Sequence, residues 1–106
     1  MLREIDSNEQ WDELVLDGGK VLVEFFATWC PHCQKMQPVV EELASMEGAK
    51  GAVFQIDVDK MPQLANMFAN GGVPTFIVFE SGVPKSIMEG ERELEDLVDL
   101  FAGRTQ

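Results

Sequence analysis

Apolar positions recur along the chain with two periods, close to four and close to two, and the switches between them outline the elements. Residues 2–5 can form a short edge strand. Ser7 then reads as a helix N-cap, with Gln10 completing a capping box. Trp11, Leu14 and Val15 share one face of that helix, and Asp17-Gly18-Gly19 ends it. Over residues 20–27 the period drops to two: Val21, Val23 and Phe25 face one way, Leu22, Glu24 and Phe26 the other. Both faces are largely apolar, as a central strand covered by helices on both sides requires. Residues 31–47 read as a long helix with Met36, Val39, Val40 and Leu43 on its inner face, kinked at Pro38 and ended by Gly48. Residues 52–58 form a second buried strand, and Pro62 opens a short helix with Met61, Leu64, Ala65 and Phe68 on its apolar face. Asn70-Gly71-Gly72 breaks that helix. Residues 75–79 and 83–88 pair as a hairpin through a tight turn at Ser81-Gly82. Leu94, Leu97, Val98 and Phe101 define a last amphipathic helix, ending at Gly103.

The order is β-α-β-α-β-α-β-β-α, which is an α/β chain. Its first strands are parallel through right-handed crossovers and its last two form an antiparallel hairpin. The expected architecture is a mixed central sheet flanked by helices on both faces, as one domain over residues 1–106. No apolar run reaches the roughly 18 residues that span a bilayer. The N-terminus is polar and acidic, without an apolar segment or small-residue cleavage site, so the chain is expected to be cytoplasmic. An exported chain whose leader had been removed would look the same. With 19 acidic residues against 8 basic, the formal charge is −11, which excludes binding to nucleic acid or to an anionic membrane. The acidity serves solubility or steering toward a basic partner. The acidic positions Glu91, Glu93, Glu95, Asp96 and Asp99 around the last helix read as a solvated face.

Candidate chemistry rests on the chain's two cysteines, Cys30 and Cys33. A structural disulfide normally closes a longer loop, because closing a short one removes little entropy from the unfolded chain. Cys-x-x-Cys therefore points to redox chemistry or a metal. Cys30, His32 and Cys33 are only three candidate ligands, crowded along the chain, and no further Cys or His completes a tetrahedral site. No metal and no cofactor are expected.

Trp29-Cys30-Pro31-His32-Cys33 at a strand-to-helix turn, with Val73-Pro74-Thr75 before a late strand, resembles the thioredoxin family. The resemblance spans essentially the whole chain and takes in Pro38, Gly82 and Gly90. Two departures stand out. Typical thioredoxins place Gly-Pro between the cysteines; Pro31-His32 is similar to DsbA-type disulfide oxidases, whose helical insertion this chain lacks. Typical thioredoxins carry Asp on the strand below the site; Glu24, within Val23-Glu24-Phe25-Phe26-Ala27, is similar to catalytic domains of protein disulfide isomerases.

The resemblance implies a thioredoxin fold and a thiol–disulfide oxidoreductase, an electron carrier in cellular redox balance. Its substrates would be disulfide-containing proteins and its recycling partner a thioredoxin reductase, with the chain acting as a monomer. Cys30, at the helix N-terminus where backbone N–H groups and the dipole favour negative charge, is expected to be the exposed, attacking thiol. Cys33, one turn in, is the buried, resolving one. His32 is a second stabiliser of a Cys30 thiolate, and together with Pro31 it tunes the couple. Glu24 lies under the helix; an unpaired buried carboxylate is costly, so it is expected to titrate high. Its family role is proton exchange with Cys33. Thioredoxins often set a Lys beside this acid; the matching position is Gln55, which is neutral. Pro74 matches the family's cis-proline, placing the Val73 backbone where an extended substrate can pair with it. Trp29, Gly72, Val73 and Gly90 resemble the apolar rim that meets partners. A disulfide oxidase or isomerase with a more oxidising potential is the alternative, favoured by Pro31-His32 and Glu24. A non-catalytic adaptor on the same fold is a third reading.

Overall fold

The computed structural model describes residues 2–104. The elements are β1 (Arg3–Glu4), α1 (Asn8–Trp11), a π-helical continuation of it over Asp12–Leu16, β2 (Lys20–Phe26), α2 (Pro31–Ser45), β3 (Val53–Asp57), α3 (Pro62–Phe68), β4 (Thr75–Glu80), β5 (Val83–Glu89) and α4 (Leu94–Ala102). The strand order is β1-β3-β2-β4-β5. β3 runs parallel to β1 and β2, while β4 is antiparallel to both β2 and β5. The sheet is therefore mixed, as its pattern predicts.

β2 lies at its centre. The two faces of this strand feed two separate cores, which is why both read as largely apolar. Val21, Val23 and Phe25 pack with Trp11, Val15, Phe54, Leu64, Ile77 and Phe79 under α1 and α3. Leu22 packs with Met36, Val40, Leu43, Phe76, Leu97 and Leu100 under α2 and α4. Glu24 shares that second face and is fully buried. Burying a charged side chain there carries a cost that packing alone does not explain.

The N-terminal helix starts as expected, with one change of partner. Ser7 Oγ accepts the Gln10 N–H at 3.1 Å, but Gln10 Oε1 reaches past the cap to the Asp6 N–H at 2.7 Å. Ser7→Ala removes the cap acceptor and is expected to cost about 1 kcal/mol, readable as a lower urea midpoint with an unchanged slope. At the other end of the chain Glu93 and Asp96 form a reciprocal capping box on α4, with Asp96 Oδ2 accepting the Glu93 N–H at 3.0 Å. The acidic first turn of α4 thus closes its own helix end as well as meeting solvent. The hairpin turn has Ser81 at φ 51° and Gly82 at φ 82°. A Cβ on Gly82 would also stand 2.8 Å from the Leu16 side chain, so the position excludes larger residues twice over.

Candidate active site

β2 delivers Glu24 from below, α2 opens at the cysteines, and the segments before β4 and after β5 close over them. Cys30 itself is the N-cap of α2: its backbone is extended, Pro31 follows at the first helical position, and its Sγ accepts the Cys33 N–H at 3.2 Å. Proline suits that position because its missing N–H would have had no helical partner. An N–H aimed at the sulfur, at the positive end of a 15-residue helix, is placed to stabilise charge there. On its other side Cys30 Sγ lies 3.8 Å from the Val73 carbonyl oxygen. Both cysteines are free thiols.

Cys30 differs from expectation in one respect. It is as buried as Cys33, at 3% and 4% exposure. Both pack with Ala27 against Phe26, Val58 and Val73. The residue that covers the sulfur's flank, Val73, is brought by a distant loop, so an exposed thiol could not be refused on local sequence alone. Burial, then the hydrogen bond with Cys30, pushes the Cys33 thiol up to about 12, with a backbone hydrogen bond from Ala27 partly offsetting them. Cys33 is therefore protonated at neutral pH and needs a proton acceptor before it can act as a nucleophile.

The carboxyl whose charge Cys33 feels is Glu24. Burial pushes its carboxyl up to about 7, opposed by a hydrogen bond from Gln55. Gln55 Nε2 donates to Oε1 at 2.7 Å, and Oε2 is the one buried side-chain polar atom without a partner among the described residues. Gln55 pairs with Glu24 in the strand register, so the neutral partner named from sequence is in place.

The Val73–Pro74 peptide bond is cis, Pro74 is buried, and Thr75 Oγ1 donates to the Gly72 carbonyl at 2.6 Å. Gly90 N–H donates to the Pro74 carbonyl at 2.9 Å, which ties the Gly90 segment to the Val73 loop. Trp29 is 64% exposed, held by a hydrogen bond from its indole Nε1 to Asp59 Oδ2 at 2.9 Å. Trp29, Val58, Pro62, Ala65, Gly72 and Val73 line a groove of about 320 Å³ beside Cys30. Pro31, next to Cys30 along the chain, is exposed. Of the residues named from sequence, Trp29, Cys30, Pro31, Cys33, Gly72, Val73, Pro74 and Gly90 thus gather at one end of α2, with Trp29, Pro31, Gly72 and Gly90 more open to solvent than the buried cysteines and Pro74.

His32 stands apart. Its ring is exposed, and Nδ1 pairs with Glu91 Oε2; Lys35 Nζ lies 4.0 Å from the same oxygen. The bond from His32 holds the Glu91 carboxyl below its usual range. Glu91 and Asp59 were not singled out from sequence as site residues. Glu91 follows a glycine that was, but the side chain it meets lies 59 residues away.

A helix-capping Cys-x-x-Cys over a buried carboxyl on a mixed sheet defines the class of thiol–disulfide exchange domains. Within it, the chain belongs to the thioredoxin family: that family's sequence model matches residues 3–102. The chain is 40% identical over 96 residues to a thioredoxin from Staphylococcus haemolyticus, covering 91% of this chain and 89% of that one. It is 39% identical over 89 residues to the chloroplastic thioredoxin Y of Oryza sativa, covering 83% of this chain and 53% of the relative. A solved thioredoxin variant from Halobacterium salinarum superposes with a TM-score of 0.86 at 34% identity, over 99% of this chain and 91% of its own. No described helix is long and apolar enough to cross a membrane.

Proposed function

We propose that the chain is a protein-disulfide reductase. Cys30 attacks one sulfur of a substrate disulfide; a mixed disulfide forms and the other substrate sulfur leaves as a thiolate. Glu24 takes the Cys33 proton, and Cys33 attacks the Cys30 sulfur. The second substrate thiolate leaves, and the Cys30–Cys33 disulfide carries the two electrons' worth of oxidation. A thioredoxin reductase, drawing on NADPH or ferredoxin, returns the pair to dithiol. The observation that carries the reading is the Cys33 N–H on the Cys30 sulfur at 3.2 Å, with a protonated resolving thiol directly behind it.

The test is the reduction potential, measured by equilibrating the Cys30–Cys33 pair in dithiothreitol or glutathione buffers. A value more negative than about −230 mV is expected. A value above about −190 mV would instead favour a disulfide oxidase or isomerase, the reading supported by Pro31-His32 and Glu24. His32→Gly is expected to move the potential to more negative values by on the order of 30 mV, tenfold in the exchange equilibrium, since it removes a group that favours the thiolate form. An unchanged potential would mean that the Glu91 pairing already takes the imidazole out of play.

A further inference from the structure

Glu24 sits at one end of a line of side-chain amides that reaches the surface. Gln55 Nε2, on β3, donates one hydrogen to Glu24 Oε1 at 2.7 Å and the other to Gln37 Oε1 at 2.8 Å. Gln37, half-buried on α2, donates from its own Nε2 to Glu41 Oε2 at 3.0 Å. An amide has distinct ends, so the direction of the chain can be read from its termini. Glu41, an exposed carboxylate, only accepts, so Gln37 must turn its NH2 outward and its carbonyl inward. That carbonyl in turn demands an N–H from Gln55, whose remaining N–H is left for Glu24. Both hydrogens of the Gln55 amide are committed, and flipping it would set its carbonyl against two acceptors at once.

We propose that Gln55 and Gln37 are positioning residues for the exchange site: they fix the Glu24 carboxyl so that Oε1 is always the bonded oxygen and Oε2 the one that gains and loses the proton. The inference rests on the reading of Glu24 as the proton acceptor for Cys33. Amides hold no titratable proton, so the chain orients and solvates the carboxylate without conducting protons along it. The proton taken from the Cys33 thiol therefore stops at Oε2, and leaves again by the same side. Among the described residues, the titratable groups linked to Glu24 are Cys33 on α2, which feels its charge, and Glu41 at the outer end of the chain; Asp57, two residues beyond Gln55 on β3, is buried. Asp57 is engaged by the Asp59 N–H at 2.9 Å, and the residue facing Glu24 on β4, Phe76, carries no charge.

The experiment follows the Glu24 carboxyl carbon by NMR in the reduced, 13C-glutamate-labelled protein, its signal identified by its loss in Glu24→Gln. Gln55→Met is expected to raise the titration midpoint by about one pH unit, tenfold in proton affinity, because a bond to the charged form is lost. Gln37→Met should raise it by less. The double variant should move it no further than Gln55→Met alone, because Gln37 reaches Glu24 only through Gln55. A midpoint unmoved in Gln55→Met, or fully additive shifts, overturns the chain. Should Gln55→Met not fold, Gln37→Met, at a half-buried helix position, decides by itself: a raised midpoint supports the chain and an unmoved one overturns it. The pH profile of mixed-disulfide resolution separates the two readings. A midpoint that moves while the resolution rate ignores it keeps the positioning role and removes the proton-acceptor role from the mechanism above.

Discussion

Cys30→Ser is expected to abolish disulfide reduction, and Cys33→Ser to halt it one step later with the substrate still attached. A serine hydroxyl stays protonated at neutral pH and cannot exchange with a disulfide, so loss of Cys30 should cost at least about 10³-fold in rate. In Cys33→Ser the first attack survives. The Cys30 sulfur keeps its N–H donor, which comes from the backbone of residue 33 and not from the side chain that is changed. The mixed disulfide then has no resolving thiol. An aromatic disulfide whose product absorbs visible light reads the first step, and mass spectrometry reads the adduct. Cys33→Ser should release one equivalent of chromophore and carry one dithiothreitol-labile adduct; Cys30→Ser should show neither. Because its thiol is held at about 12, Cys33 does not substitute for Cys30 as an attacking thiol. An adduct on Cys33 in the Cys30→Ser protein, formed at the wild-type rate, would reverse the order of attack.

The parts of this site that were legible in the sequence are those set by neighbours along the chain. Cys30 caps α2 because Pro31 cannot donate and Cys33 can, and three residues decide that. Gln55 beside Glu24 is the exception: its place was legible only through the family resemblance, and the parallel register of β2 and β3 puts it there. What was not legible depends on long closures. Val73 buries Cys30 from 43 residues away, Glu91 takes the His32 ring from 59, and Asp59 holds Trp29 from 30. The line of amides from Glu24 to Glu41 was hidden for the same reason. Gln37 reads as a polar residue on a helix flank, and nothing local shows that its carbonyl completes a bond begun on β3. Pattern also left the strand order open: alternation marks β2 as central, but its placement between β3 and β4 comes from the crossovers. The register shift between β4 and β5, where Val78 pairs with Ser86 and Phe79 with Pro84, has no signal beyond Pro84 and the skipped Lys85, residues that guard an exposed edge.

Glu24→Gln is expected to make the folded protein more stable at neutral and alkaline pH by about 3 kcal/mol, and to change it little below pH 4.5. Gln at this position keeps Oε1 to accept from Gln55, and its NH2 replaces Oε2 without a partner, as the O–H of the protonated acid would. The variant therefore imitates the neutral form of the wild type at every pH. The wild-type carboxyl shifts from 4.5 to about 7 on folding, because burial penalises its charge. The folded state thus binds the proton more tightly than the unfolded one. Its contribution is fully present below pH 4.5, is lost at about 1.4 kcal/mol per unit as pH rises toward 7, and stays lost above that. Urea unfolding of the two reduced proteins at pH 4 and pH 8 should give curves that nearly coincide at the lower pH and separate widely at the higher. Parallel pH dependence would mean that the site accepts the carboxylate without penalty. The same substitution should slow resolution by Cys33, most where Glu24 is ionised and can take the proton. A Glu24→Gln protein that gained the stability and kept wild-type resolution from pH 6 to 8 would show that the carboxyl has no part in exchange.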